Sequence, residues 1–520
     1  MSTLWKSWHF ALAIAGAVLL LIGAHWIRRT HLPQHEIVLT DKGCSTPATV
    51  MDPPAGVAPA GAAIVLHGLA ANRRVMTYLG SDFAGHGFRT YLIDLPGHGD
   101  NTDSFSFSRA EQCATVAVES LIRSQAVDPD KTILVGHSMG GAIAIRMADR
   151  EPVKATIAIS PAPMTLPQRM PSNLLVFSAQ FDVAPLKRQA RALAAAAGGE
   201  RAAAEDFGEQ RAFQLVDSPL STHTSLLLDR GIAHRSELWA MQSLFATVPA
   251  KTLAVNLALA TYETFGHGRR RLAGAVAGLL GLLFLLPLGV AGASRLAGSV
   301  RTDLPPAQRR YLLVLVEGLA CALVGMLVLT LFTPLRFVHL YSGDYFASLI
   351  LIAGVLLLAL NRSAARESCS SNARPLIAAA LLGFAVILAF GAWLNWQLAD
   401  LWLNAPRWLR FAELLPVAAI FCFAEEVVLG PVGAGKRRAL RLAVFLALRL
   451  ELWLACLLAY YAFASGQVLI LVLVATLAGF SILQRLATDA LRARTGSATA
   501  AAIFGAILAA WFIAAVFPLT

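Results

Sequence analysis

Hydrophobic residues along the chain fall into three regimes. Near the start a single apolar run, Phe10 to Ile27, follows Lys6 and precedes Arg28 and Arg29. From about residue 36 to 250 the apolar runs are short and alternate with amphipathic, Ala-rich stretches. From Leu272 onward long apolar runs return, at 272–293, 311–333, 345–360, 375–397, 409–430, 440–464, 467–484 and 498–517. A helix needs roughly 17 to 25 apolar residues to cross a bilayer, so this last regime predicts about eight membrane helices. The runs 345–360 and 467–484 are short, which predicts tilted or re-entrant segments there. The first run is longer than a signal-peptide core and no Ala-x-Ala site follows it, so it predicts an uncleaved anchor. The organisation expected is therefore an anchor helix over 1–35, a soluble domain over 36–250 and an all-α multispan domain over 251–520.

Within the soluble region the short runs are continuously apolar. They are Ala62–Leu66, Thr90–Ile93, Thr132–Val135, Ala155–Ile159, Leu174–Phe177 and Phe213–Val216. Strands that read this way are covered on both faces, as in a parallel sheet flanked by helices. Helix-like stretches lie between most of them, such as Arg109 to Ser124 and Gly141 to Arg150. The alternation predicts an α/β domain with a doubly wound, mostly parallel sheet, whose ligands bind at the carboxyl ends of the strands.

Composition changes the picture in two respects. Of the 520 residues 57% are apolar and only 14% charged, against about 25% charged in a soluble chain. The formal charge of +11 does not predict a nucleic-acid partner, because Lys and Arg gather at the ends of apolar runs and form no basic stripe. That distribution orients membrane helices instead. With nine spans, fifteen Lys and Arg in short loops share a side with the N-terminus, and only Arg336, Arg407 and Arg410 lie opposite. Arg28, Arg29, Arg269, Arg270 and Arg271, which flank the soluble domain, pull the other way without reversing the majority. The expectation is a multi-pass protein of a bacterial inner membrane, with the N-terminus cytoplasmic and the soluble domain extracytoplasmic. The lipid bilayer is then one partner.

The six cysteines include no Cys-x-x-Cys pair, and no histidines stand at metal-ligand spacing, so neither a metal nor a cofactor is expected. Cys321, Cys422 and Cys456 fall within apolar runs as packing residues. Cys44 and Cys113 fall in the soluble region; spacing alone gives no separation in space, and they are expected as free thiols, with pairing in an oxidising compartment the alternative.

The candidate chemistry begins at Gly136-His137-Ser138-Met139-Gly140, directly after one apolar run and directly before a helix-like stretch. A serine on so tight a strand-to-helix turn needs small neighbours two residues to either side. The helix that follows points its first amides and its positive end at the place where an oxyanion develops. The pattern arises by chance in long chains; its position between strand and helix gives it meaning.

With Leu66-His67-Gly68-Leu69 and Asp94-Leu95-Pro96-Gly97-His98-Gly99, this turn resembles the α/β-hydrolase superfamily over about residues 60 to 248. The branch it is most similar to contains lysophospholipases, monoacylglycerol lipases and serine aminopeptidase-like enzymes. The resemblance implies a nucleophile at Ser138 and oxyanion-hole amides on Leu69 and Met139. It also implies an acid after a late strand, which Asp182 in Ser178-Ala179-Gln180-Phe181-Asp182 matches, and a histidine after the last strand, which His223 matches. Many relatives have glycine where this chain has Ser178. The implied substrate is an acyl ester or amide, attacked by Ser138 while His223 takes its proton and Asp182 orients the imidazole.

Rival readings exist for each residue. Asp182 also suits a helix N-cap before Pro185, which would leave Glu205 or Asp206 as the acid, and His234 is the alternative base. His67, His98 and His137 read as structural or lining groups. Between Pro161 and Asn173 there is room only for a short loop, so no helical cap is expected over the site.

In the multispan region Glu413, Glu425, Glu426, Arg449 and Glu451 interrupt apolar runs, and charges there are costly. Glu425-Glu426 resembles the E-E-x-x-x-R motif of intramembrane CAAX-type proteases, but Gly430 stands in place of the arginine and no histidine follows His339. The expectation is instead that Glu425 or Glu426 pairs with Arg449 across two helices, or that both reach the headgroups. Three functions are thus compatible with the chain: a membrane-bound serine hydrolase, an acyltransferase using the same triad, and a transporter or receptor with a degenerate hydrolase domain.

Overall fold

All six apolar runs of the middle region are strands of one sheet in the computed structural model, which describes residues 2–151, 153–246, 267–298, 311–332, 336–369, 372–397, 399–433, 436–463, 465–466 and 468–520. The strands in order are β1 (Gln34–Asp41), β2 (Cys44–Met51), β3 (Gly61–Leu66), β4 (Phe88–Ile93), β5 (Thr132–His137), β6 (Ala155–Ile159), β7 (Leu174–Ala179) and β8 (Phe213–Ser218). Their order across the sheet is β1-β2-β4-β3-β5-β6-β7-β8. The β1–β2 and β2–β4 pairs are antiparallel and every other pair is parallel. The α/β expectation holds, with an antiparallel edge.

The hairpin at that edge is absent from the apolar pattern for a physical reason. β1 is half-exposed and has only three apolar residues, Ile37 to Leu39, between polar ends, and β2 contains Pro47, which donates no ladder hydrogen bond. Its turn is a two-residue loop with positive φ at Lys42 (44°) and Gly43 (74°), the backbone that matches strand twist.

The helices that cover the sheet are α2 (Thr77–Gly85), α3 (Phe107–Arg123), α4 (Met139–Arg150), α5 (Ala184–Ala196), α6 (Ala204–Gly208) and α7 (Arg230–Leu244); α1 (Ser2–Arg29) precedes the sheet in sequence. Ile157, Ile159, Leu175 and Phe177 face one side, with Phe83 of α2 and Trp239 of α7. Ala158 and Val176 face the other, with Ile145 of α4 and Leu193 of α5. Alternate residues of one strand thus enter two cores, which is why the runs are apolar without alternation. Successive connections turn from one side of β3 to the other between β4 and β5, so the crevice at the carboxyl ends of β3 and β5 is the switch point of the sheet.

Cys44 and Cys113 form a disulfide between the start of β2 and α3. The free-thiol expectation is corrected: antiparallel pairing of β2 with β4, and packing of α3 on β2, bring two cysteines 69 positions apart in sequence to a Cα separation of 5.4 Å. The segment from Pro161 to Asn173 contains neither helix nor strand, as expected.

The chain forms two compact units. One comprises Leu21–Ala277, Trp393–Asp400 and Pro518–Thr520; the other comprises Met1–Leu20, Gly278–Ala392 and Leu401–Phe517. In the first, the two late segments join the sheet domain. Asn72 exchanges hydrogen bonds with the backbone of Asp400, and Leu519 bonds to the backbone of Gly97 and Phe105. The expected boundary at 250/251 lies outside the described residues, as do Arg301, Arg309 and Arg310 of the orientation count.

The second unit is helical. Among the described residues eight helices are long and apolar enough to cross a membrane: part of α1 and the helices around Gly268–Ala297, Tyr311–Leu331, Gly343–Leu360, Ala373–Trp396, Lys436–Phe463, Val472–Thr495 and Ala498–Val516. The run at 409–430 is also one long helix, Ala405–Leu429, but contains Arg407, Arg410, Glu413, Glu425 and Glu426. The run at 467–484 is not short: its helix continues to Thr495 through Gln484, Arg485, Asp489 and Arg492, polar residues that ended the apolar pattern but are buried within the unit. Glu425 pairs with Arg449 (2.8 Å) as expected. Glu426 is buried and ion-paired to Arg441 (2.9 Å), Arg485 and Arg492, while Asp489 takes Arg441 (3.0 Å).

Candidate active site

Ser138 stands between β5 and α4 with φ 54° and ψ −115°. This strained backbone projects its hydroxyl away from the sheet edge. The two glycines of the turn are dictated by packing. A Cβ on Gly136 would lie 2.2 Å from the Gly140 carbonyl oxygen, and one on Gly140 would lie 2.3 Å from that of Leu66. The elbow is anchored by Ser138 N–H donating to Ile159 (2.9 Å), and the Ser138 carbonyl accepts from Ala142 (3.1 Å) and Ala162 (2.9 Å).

His223 arrives on the loop after β8 and its Nε2 lies 2.9 Å from Ser138 Oγ. Its Nδ1 lies 3.1 Å from Asp182 Oδ1. Asp182 follows β7, is buried and accepts from the Val183 amide (3.2 Å). Helix α5 begins at Ala184 with Val183 as its cap residue, so Asp182 is not that helix's N-cap. The rivals lie elsewhere. Asp206 caps α6 through the Ala203 amide (2.9 Å), Glu205 sits exposed on the same helix, and His234 lies on α7 beside a separate cavity of about 180 Å³ lined by Tyr78, Asp82 and Glu237.

The loop that follows β3 presses against Ser138. A Cβ on Gly68 would lie 2.9 Å from His137 Nδ1 and 3.0 Å from Ser138 Cβ, which puts Leu69, the next residue, at the same crevice as Met139, the first residue of α4. Two buried histidines hold this loop. His67 Nε2 accepts from the Leu95 amide (3.0 Å) while Nδ1 donates to the Gly68 carbonyl (2.8 Å). Burial holds its pKa below the ordinary value, so it is neutral at pH 7 and able to do both. His98 Nε2 accepts from the Ala70 amide (3.1 Å) and its Nδ1 bonds the Pro96 carbonyl (2.8 Å). The buried Arg73 clamps the adjoining segments through Asp94, Asp100 (2.6 Å), Glu36 (3.1 Å) and Thr49 (3.0 Å).

His137 is structural, one of the two roles expected of it. Its Nε2 donates to the His223 carbonyl (3.1 Å), with ring centroids 4.8 Å apart. Burial, and then the neighbouring His223, hold its pKa well below the ordinary value, so it serves as a neutral strut for the His223 loop. Sequence reasoning missed one polar group altogether: Ser160, just past β6, whose hydroxyl bonds Asp182 and sits 3.1 Å from His223 Nδ1. Nothing in its neighbourhood, Ile159-Ser160-Pro161, marks it as anything but a strand end.

A switch-point crevice holding a serine on a strained elbow, a histidine on that serine and a buried carboxylate on the histidine is the construction of the α/β-hydrolase fold. Comparison with known proteins agrees: residues 63–261 match the model described as the alpha/beta hydrolase family. A pimeloyl-(acyl-carrier protein) methyl ester esterase of Nitrosospira multiformis is 34% identical over 91 residues, 18% of this chain and 34% of that protein. The enzyme of that name from Hamiltonella defensa is 35% identical over 107 residues, 20% of this chain and 38% of that one. The chain thus spans about a third of the length of the curated relatives it matches. Among solved structures, an esterase of Pyrobaculum calidifontis aligns with 47% of this chain and 94% of its own, at 15% identity and a TM-score of 0.34.

Proposed function

We propose that the chain is a membrane-bound serine hydrolase that cleaves a carboxylic ester, of a lipid or a small acyl group, or an amide, through an acyl-enzyme. The observation that carries this reading is the unbroken chain Ser138 Oγ, His223 Nε2, His223 Nδ1 and Asp182 Oδ1, at 2.9 and 3.1 Å. A degenerate domain has no reason to keep all three groups in register.

In the proposed reaction, Ser138 Oγ attacks the acyl carbon as its proton passes to His223 Nε2. The carbonyl oxygen becomes an oxyanion that the Leu69 and Met139 amides receive, and Asp182 stabilises the imidazolium. The C–O or C–N bond then breaks and His223 gives the proton to the departing alcohol or amine. Water repeats the sequence in reverse and releases the acid. The ester reading is favoured over the amide one by the partial relatives named as methyl ester esterases. The capless loop over 161–173 leaves a broad approach suited to acyl chains of the lysophospholipase and monoacylglycerol lipase kind.

The eight apolar helices support residence in the bilayer, with 1–35 as anchor and 251–520 as the multispan part. The Cys44–Cys113 bond supports an oxidising, extracytoplasmic side for the hydrolase domain, the side also favoured by the loop charges. The test is labelling by a fluorophosphonate probe in membranes that contain the wild type or Ser138→Ala. Labelling of the wild type alone is expected; a folded wild type that stays unlabelled overturns the hydrolase reading.

A further inference from the structure

Ser160 occupies a position that chain geometry alone would give to glycine. It is the first residue beyond β6, with φ 45°, in the left-handed region that costs an L residue about 1–2 kcal/mol. Its amide donates to the Phe177 carbonyl (2.8 Å) and the residue is buried. A strained, buried polar residue persists where its side chain is used. Here the hydroxyl donates to Asp182 Oδ2, the oxygen that does not face His223, and its lone pairs stand 3.1 Å from His223 Nδ1. The other oxygen, Oδ1, receives the Val183 amide (3.2 Å) and faces His223 Nδ1 (3.1 Å).

We propose that Ser160 is a fourth, positioning member of the triad: it fixes the rotation of the Asp182 carboxylate and shares the His223 Nδ1–H between two acceptors. The proposal rests on the serine-hydrolase reading above. Without Ser160, one carboxylate oxygen loses its donor inside a buried site and the acid is held from Oδ1 only, by the Val183 amide and by His223 itself. The imidazole then loses the single orientation in which Nε2 faces Ser138. Ser160 never touches the acyl group, so its loss acts on turnover and leaves substrate binding in place.

The test uses the full-length chain in membranes or detergent, with a fluorophosphonate for labelling rate and a p-nitrophenyl acyl ester for kcat and KM. Ser160→Ala and Ser160→Gly are each made alone and in an Asp182→Asn background. A charge-assisted hydrogen bond at a catalytic acid predicts a loss in kcat and labelling rate of about tenfold or more with KM unchanged. Ser160→Gly relieves the backbone and is expected to keep or raise the melting temperature while losing the same activity, an opposition that a merely structural serine does not produce. In the Asp182→Asn background both substitutions are expected to have little further effect, because Ser160 acts through that acid. Wild-type activity in Ser160→Gly, or losses that multiply with that of Asp182→Asn, would overturn the role of Ser160 while leaving the hydrolase reading intact. A wild type that neither labels nor turns over overturns both.

Discussion

Replacing Gly140 by alanine puts the geometry of the elbow to a direct test. A Cβ there would lie 2.3 Å from the Leu66 carbonyl oxygen and 2.6 Å from that of His67, both backbone atoms that cannot swing aside. Reaching even a 3.0 Å contact requires α4 to move from the end of β3 by about 0.7 Å. Overpacking of this kind costs about 1–3 kcal/mol. The larger consequence is local, because α4 carries the Met139 amide and β3 leads into the Leu69 loop, so the two amides separate from each other and from Ser138. A displacement near 1 Å at a reacting centre costs on the order of a hundredfold in rate. Gly140→Ala is thus expected to label with a fluorophosphonate tens of times more slowly than wild type while remaining folded by thermal melting. Gly208→Ala is the control, since its added Cβ meets nothing within 4 Å. Labelling of Gly140→Ala at the wild-type rate would refute the argument that backbone proximity, rather than sequence habit, fixes glycine there.

Three further outcomes follow from the energetics. Removing the Cys44–Cys113 bond with the double change Cys44→Ser and Cys113→Ser frees a loop of 69 positions; chain entropy puts the cost near 4 kcal/mol, to be read as a fall in melting temperature that reducing agent reproduces in the wild type. Burial pushes the Asp82 carboxyl up to about 7 despite the hydrogen bond from the Gly268 amide. The folded state therefore holds a proton that the unfolded chain releases near pH 4, and stability falls as pH rises from there to about 7, at up to about 1.4 kcal/mol per pH unit. Asp82→Asn is expected to make this part of a stability-against-pH curve shallower, while the buried Glu237, held above its ordinary range by burial and then by Asp82, keeps part of the slope; an unchanged slope would contradict the shift. In the helical unit, Glu426→Gln removes the buried carboxylate paired with Arg492 and leaves Arg441 and Arg485 to share Asp489, and is expected to destabilise the detergent-solubilised protein by about 3–5 kcal/mol. Glu425→Gln, which disturbs Arg449 alone, is expected to cost less.

What could be read without the structure was whatever chain periodicity and local chemistry encode. The parallel strands announced themselves because residues such as Ile157 and Ala158 enter cores on opposite faces, leaving no polar position between them. The elbow was legible because its glycines, its serine and the helix beyond it are contiguous. The order serine, acid, histidine that the resemblance implies pointed to Asp182 and His223 once the strands were placed, and the two side chains do meet (3.1 Å). The β1–β2 hairpin escaped because an edge strand is half polar and Pro47 reads as a breaker.

The sequence by itself determined the alternation of strands and helices, the tight turn that carries Ser138 and the presence of long apolar helices, since each depends on neighbours within a few residues. Only the tertiary structure decided which distant groups meet. It paired Cys44 with Cys113, separated Glu425 from Glu426 by giving them different arginine partners, brought Asp400 and Leu519 to the loops of the sheet domain, and set Ser160 against Asp182 and His223. Such contacts close loops of tens to hundreds of residues, and their energy resides in the packed arrangement of several elements at once, so no short stretch of sequence contains them.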